Sequence, residues 1–327
     1  MPHRKLIIDF HVHLQDRLTQ LALCPEVQRS PFFRHTYPIV ERLAHLSEPV
    51  HDGLLRHMAM NYNGPISRFI YGRMGKFGLM ETLRLFKTYD VRRLIHSMES
   101  LNIHHAVIHS IEPLTSTVNV IEMTEEYRDR FSIFASVASD EADPVSYLTP
   151  FIEAGSIRGL KIHPIVGGFA CGDFFFRTKD LAALALEANI PVLIHTGHIP
   201  VDSLKGIGGC NEVTALEPLI AGFPKTKFIL AHIGWESWRE VLRLGKAYPN
   251  VFVETSWQPA RVIRRSVDAL GAPRVLFGSD FPLFKQQLAL NEVRKALSPQ
   301  EFAQITWGNA VRLLKLETHA GSKSKAS

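Results

Sequence analysis

Short apolar runs recur along this chain, each closed by a polar or titratable residue and followed by a stretch with helical spacing. Leu6-Ile7-Ile8 is the first, and it ends in Asp9-Phe10-His11-Val12-His13. From His104 onward the alternation is regular. Strands are predicted at His105–His109, Phe131–Val137, Ile157–His163, Pro191–His195, Lys227–His232, Val251–Thr255 and Arg274–Asp280. Between them lie helices near Ser116–Arg128, Val145–Ala154, Lys179–Ala188, Glu212–Ala221, Trp238–Ala247 and Ala260–Leu270, with closing helices near Leu288–Leu297 and Pro299–Leu316. Near-continuous apolar strands such as Val192-Leu193-Ile194 suit a parallel sheet covered by helices. Eight such units predict a single α/β domain, a (β/α)₈ TIM barrel over residues 1–317. An open doubly wound sheet lacks support, because no glycine-rich phosphate loop follows an early strand.

Residues 14–95 break the rhythm. They are rich in aromatics, Met and Arg, with helical patterns at Leu79–Leu85 and Val91–Met98. This is too long for a strand-to-helix loop, so it reads as a mainly helical insertion after strand 1. A lid, a homodimer contact and a packing decoration all fit it. Residues 318–327 read as a flexible tail.

Composition adds little to the fold and more to the partners. The 327 residues are 46% hydrophobic and carry a formal charge of +5, too small to imply nucleic acid. Arg261, Arg264 and Arg265 sit at helical spacing and read as a solvated face. Three scattered cysteines, Cys24, Cys171 and Cys210, suggest a reducing compartment rather than a disulfide framework. No run is long and apolar enough for a membrane span, and no secretory leader precedes strand 1, so a cytoplasmic protein is expected.

The candidate chemistry lies where the strands end. His11 and His13 on strand 1, Lys161 and His163 on strand 4, His195 on strand 5, His232 on strand 6 and Asp280 on strand 8 share one rim of the inferred barrel. Alternation along strand 1 points Asp9, His11 and His13 the same way, with Asp9 as a supporting partner rather than a ligand. Histidines with a carboxylate suit one divalent cation, foremost Zn²⁺, with Mn²⁺ or Fe²⁺ as alternatives.

The motifs Asp9-x-His11-x-His13, Gly159-Leu160-Lys161-Ile162-His163-Pro164, Ile194-His195-Thr196-Gly197, Ala231-His232-Ile233-Gly234 and Gly278-Ser279-Asp280-Phe281-Pro282 resemble the amidohydrolase superfamily. The nearest likeness is to the branch of metal-dependent hydrolases and aminocarboxymuconate-semialdehyde and resorcylate-type decarboxylases. Ile305-Thr306-Trp307-Gly308-Asn309-Ala310 resembles that branch's closing signature. The resemblance implies His11, His13, His195 and Asp280 as metal ligands and His232 as a catalytic base or polarising group. Asp280 would also carry protons. Lys161 departs from the mononuclear decarboxylases; it could bridge two metals, bind a substrate carboxylate with His163 beside it, or be a salt-bridge residue. The leading expectation is hydrolysis of a small, carboxylate-bearing amide, ester or lactone by a metal-activated water. Decarboxylation of an aromatic or unsaturated acid is the alternative, and a non-catalytic metal-binding protein the third.

Overall fold

A computed structural model describes residues 6–14, 85, 89–197 and 212–316. Most of the 14–95 insertion, its Leu79–Leu85 helix apart from Leu85, Cys24, Cys210 and the 318–327 tail lie outside these residues. Eight parallel strands stand in chain order: β1 (Ile8–Val12), β2 (His105–His109), β3 (Phe131–Ser136), β4 (Gly159–Ile162), β5 (Val192–Ile194), β6 (Phe228–Leu230), β7 (Val251–Glu254) and β8 (Val275–Leu276). The segment after β8 returns to β1 through Phe10 N–H to Phe277 O at 2.8 Å, Asp280 N–H to His11 O at 2.7 Å and His13 N–H to Phe281 O at 2.7 Å. The expected (β/α)₈ barrel is thus present.

Helices start where the local chemistry satisfies their first amides. Asp90 caps Val91–Leu101, Ser116 caps Thr117–Thr124, and Asp143 followed by Pro144 opens Pro144–Glu153. Ser298 and Glu301 form a reciprocal capping box ahead of Pro299–Ala303. The helix expected at Lys179–Ala188 instead spans Phe174–Glu187, because Phe174 and Thr178 extend its buried face. The closing helix runs as Pro299–Ala303, a π-turn at Gln304–Gly308, and Asn309–Leu314. Its Asn309 donates from Nδ2 to the carbonyls of Ala272 and Val275, both at 2.7 Å, tying this helix to the start of β8.

Two apolar layers result. Ile8, Phe10, Val107, Phe134, Leu193, Ile229 and Leu276 fill the barrel, joined by Ala310, Leu313 and Leu314 of the last helix. A larger layer, including Ile7, Val12, Ile108, Ile162 and Ile194, meets the surrounding helices. These layers correct the reading of strand 1. Ile8 and Phe10 face inward, so strict alternation would turn Val12 inward and His11 outward. The β1–β2 register shifts between Asp9 and Val12, Val12 lies in the outer layer, and the phase is reset. Asp9 therefore does not share a face with His11. It accepts hydrogen bonds from the Ser279 amide (2.9 Å) and hydroxyl, and from Gln286 Nε2 (2.8 Å) on the helix side. Burial pushes its carboxyl up to about 6.

The basic group on the Ala260–Leu270 helix is a surface feature, as expected. Arg264 pairs with Asp268 and Glu301, and Arg265 lies over the Trp238 ring. Cys171 is disulfide-bonded, against the expectation of a reducing compartment rather than a disulfide framework. No helix among the described residues is long and apolar enough to cross a membrane.

Candidate metal centre

Strands β5, β6 and β8 are shorter than the sequence pattern suggests. They stop at Ile194, Leu230 and Leu276, and His195, His232 and Asp280 lie beyond the ladder. His232 and Asp280 have left-handed backbones, with φ of 56° and 67°. Ile233 and Gly234 continue in the same region, and Trp235 keeps a positive φ of 49° with ψ of −109°. Such conformations cost non-glycine residues about 1 kcal/mol or more each. Side-chain hydrogen bonds pin this turn. Glu254 Oε1 accepts from the His232 amide at 2.6 Å, and Gln258 Nε2 donates to the carbonyls of His232 (2.6 Å) and Trp235 (3.1 Å).

Three expected ligands meet. The Nε2 atoms of His11 and His13 stand 3.1 Å apart, and Asp280 Oδ1 lies 3.2 Å from His13 Nε2 and 3.6 Å from His11 Nε2. All three residues are buried. His195 is not part of this triad. Its Nδ1 lies 3.1 Å from His232 Nε2, and its Nε2 is buried without a hydrogen-bond partner. His163 stacks on His195 with ring centroids 4.0 Å apart. Lys161 Nζ reaches His11 Nε2 at 3.1 Å.

Hydrogen-bond partners assign the imidazole protons. His13 Nδ1 lies 3.1 Å from the His109 carbonyl, which only accepts, so Nδ1 carries a hydrogen and the neutral ring is bare at Nε2. His11 Nδ1 lies 2.8 Å from the Glu254 carboxylate, with the same consequence. Burial, with Lys161 and neighbouring imidazoles adding to it, holds His11, His109, His163, His195 and His232 well below the ordinary imidazole range. Two bare ring nitrogens and a carboxylate oxygen therefore converge in a buried space. That set, with Lys161 Nζ beside it, has the donors to hold a divalent metal ion, as does the group His11, His232 and Glu254, and His195 Nε2 is a buried orphan. Burial also pushes Lys161 down to about 8, against the pull of Asp280 and Glu254.

The structure adds four residues to those read from the sequence. Glu254 and His109 close apolar strands in the way His13 does, and the same signal would have found them. His109 donates from Nε2 to the Phe10 carbonyl at 2.9 Å, and its Nδ1 is a buried orphan. Ser256 Oγ lies 2.6 Å from His232 Nδ1, and Trp257 Nε1 donates to Asp280 Oδ2 at 2.6 Å. Neither follows a strand-ending pattern, and no sequence signal marks them.

Against this geometry, the amidohydrolase family profile matches residues 8–316. The chain belongs to the amidohydrolase family and is a metal-dependent enzyme of that superfamily. No curated protein matches it in sequence. Among solved structures it is similar to an uncharacterized TIM-barrel protein of Bordetella bronchiseptica, with 18% identity and a TM-score of 0.62, covering 95% of this chain and 98% of that one. It is also similar to 5-carboxyvanillate decarboxylase of Novosphingobium aromaticivorans, complexed with manganese and 4-hydroxy-3-methoxy-5-nitrobenzoic acid. That match has 16% identity and a TM-score of 0.60, over 95% of this chain and 96% of that one. A probable 2-pyrone-4,6-dicarboxylic acid hydrolase of Acinetobacter baumannii, with citric acid bound, matches at 13% identity and a TM-score of 0.51, over 69% of this chain and 89% of that one. At these identities the likeness is one of fold.

Proposed function

We propose that this protein uses one divalent cation to decarboxylate a small aromatic or unsaturated acid. His11, His13, His195 and Asp280 would hold the ion. The donor set favours Zn²⁺, and Mn²⁺ is the alternative that the decarboxylase likeness brings. When bound, the ion supplies Lewis acidity and orients an oxygen of the substrate.

The observation that carries decarboxylation over hydrolysis is the engagement of Asp280. A hydrolase would use this carboxylate to take the proton of water. Here Oδ1 faces His13 and His11, and Oδ2 is taken by the Trp257 indole. His232 is better placed to handle a proton. Its Nδ1 points to Ser256, whose hydroxyl donates to Glu254 Oε1 at 2.7 Å, so the lone pair is on Nε2, which His195 Nδ1 faces at 3.1 Å. In a hydroxy acid, His232 Nε2 would take the hydroxyl proton and deliver it to the carbon bearing the carboxylate. The carbon–carbon bond then breaks, carbon dioxide leaves, and the electron pair returns to the ring. Lys161, with His163 on the same strand face, would bind the anionic group of the substrate.

Hydrolysis of a carboxylate-bearing lactone, amide or ester is the second reading. It is favoured by the same bare His232 Nε2, which could accept a proton from water. A panel of hydroxybenzoates and lactones, offered to zinc- and manganese-loaded protein, tests both. Carbon dioxide release from the acids is expected. Acid production from the lactones without carbon dioxide release would overturn decarboxylation.

A further inference from the structure

The structure assigns Glu254 as the positioning residue that keeps both His11 and His232 bare at Nε2, so that metal loading and proton handling depend on one carboxylate. This rests on the proposed reading in naming His11 a metal ligand and His232 the group that handles the proton.

One oxygen does most of the work. Glu254 Oε1 is 2.8 Å from His11 Nδ1, 2.6 Å from the His232 amide nitrogen and 2.7 Å from Ser256 Oγ. Oε2 accepts from the Ser256 amide at 2.8 Å. The Ser256 hydroxyl spends its hydrogen on Glu254 and must therefore accept from His232 Nδ1, 2.6 Å away. The carboxylate thus sets the tautomer of His11 directly and of His232 through Ser256. The two rings stack with centroids 4.9 Å apart and an interplanar angle of 19°.

An amide cannot replace this group. Every contact of Glu254 is with a donor, on both oxygens, so the NH₂ of a glutamine would face an N–H or O–H wherever it pointed. The fold also reserves the space. A Cβ on Gly278 would lie 2.3 Å from Glu254 Oε2 and 2.9 Å from His11 Cβ, so position 278 has room only for hydrogen.

The test has a spectroscopic arm and a metal arm. The full-length protein is labelled with ¹⁵N-histidine and stripped of metal. Long-range ¹H–¹⁵N spectra then read the tautomers of His11 and His232, assigned with His11→Asn and His232→Asn. Both rings are expected to be Nδ1-protonated; an Nε2-protonated His11 or His232 overturns the assignment and needs no variant of Glu254. Zinc affinity is measured by competition with a chromophoric chelator. Glu254→Gln is expected to weaken zinc by about 10- to 100-fold and to shift both ring signals, whereas Ser256→Ala should shift His232 alone and change affinity by less than about threefold. Gly278→Ala should behave like Glu254→Gln. A folded Glu254→Gln protein that binds zinc as tightly as the parent overturns the inference, as does a Ser256→Ala protein that weakens zinc equally. Failure of the parent itself to bind zinc or manganese would instead remove the metal reading.

Discussion

Lys161 Nζ stands 3.1 Å from His11 Nε2, the same ring nitrogen that faces His13 Nε2 at 3.1 Å. The lysine thus supplies positive charge to a cluster of lone pairs. On the proposed reading, a metal ion held by His11 Nε2 would take over that role and leave the ammonium for an anionic substrate group. Lys161→Met is expected to raise KM for the acid by about tenfold or more, the scale of a lost charged hydrogen bond. Metal content should stay at one ion per chain. Metal analysis and steady-state kinetics check this; two ions per chain, with a carbamate on Lys161, would contradict it.

The ligand set predicts loss of metal rather than only loss of turnover. His11→Ala, His13→Ala, His195→Ala and Asp280→Ala should each lose most of the bound ion, measured by elemental analysis of the purified protein. Full occupancy in the His11 or His195 variant would rule that residue out as a ligand.

His232 should behave differently. His232→Asn keeps a side chain that can meet Ser256, so the ion should stay while turnover falls about 10²- to 10⁴-fold, the range for a removed proton-transfer group. Parallel loss of metal would make His232 a ligand.

Away from the site, His105 predicts an acid sensitivity of the fold. Burial beside Ser132 Oγ, 2.9 Å away, lowers its pKa from 6.5 to about 4. The unfolded chain therefore binds a proton between pH 6.5 and 4 that the folded chain does not. Its contribution is full above pH 6.5 and is lost as the pH falls toward 4, by no more than about 3 kcal/mol for a partly buried ring. His105→Gln should flatten this part of the stability profile. Urea midpoints of both proteins between pH 7.5 and 4.5 give the comparison.

Within the barrel, Phe134 sits edge-on to Phe10 at 5.5 Å and fills the space that a side chain on Gly159 would need. A Cβ there would lie 2.4 Å from Phe134 Cζ. Phe134→Ala should cost about 3–5 kcal/mol, and Gly159→Ala should also destabilise by overpacking the same layer. Denaturant unfolding measures both.

The barrel and the strand-end placement of the candidate residues were legible in the sequence because both are written locally. Each strand is a few apolar residues, and a polar residue closing it must sit at a strand end whatever its neighbours do. Read consistently, that rule also reaches His109 and Glu254. What the sequence could not determine is which atoms meet. Glu254 finds His11 across 243 positions of chain, and Trp257 meets Asp280 only because two left-handed turns aim them at each other. Asp9 faces the helices by alternation with Ile8 and Phe10, and the register shift that follows it turns His11 toward the centre, although simple alternation puts the two on one face. Hydrogen-bond partners, tautomers and the phase of a bulged strand depend on neighbouring strands and on closure of the barrel, so only the tertiary structure decided them.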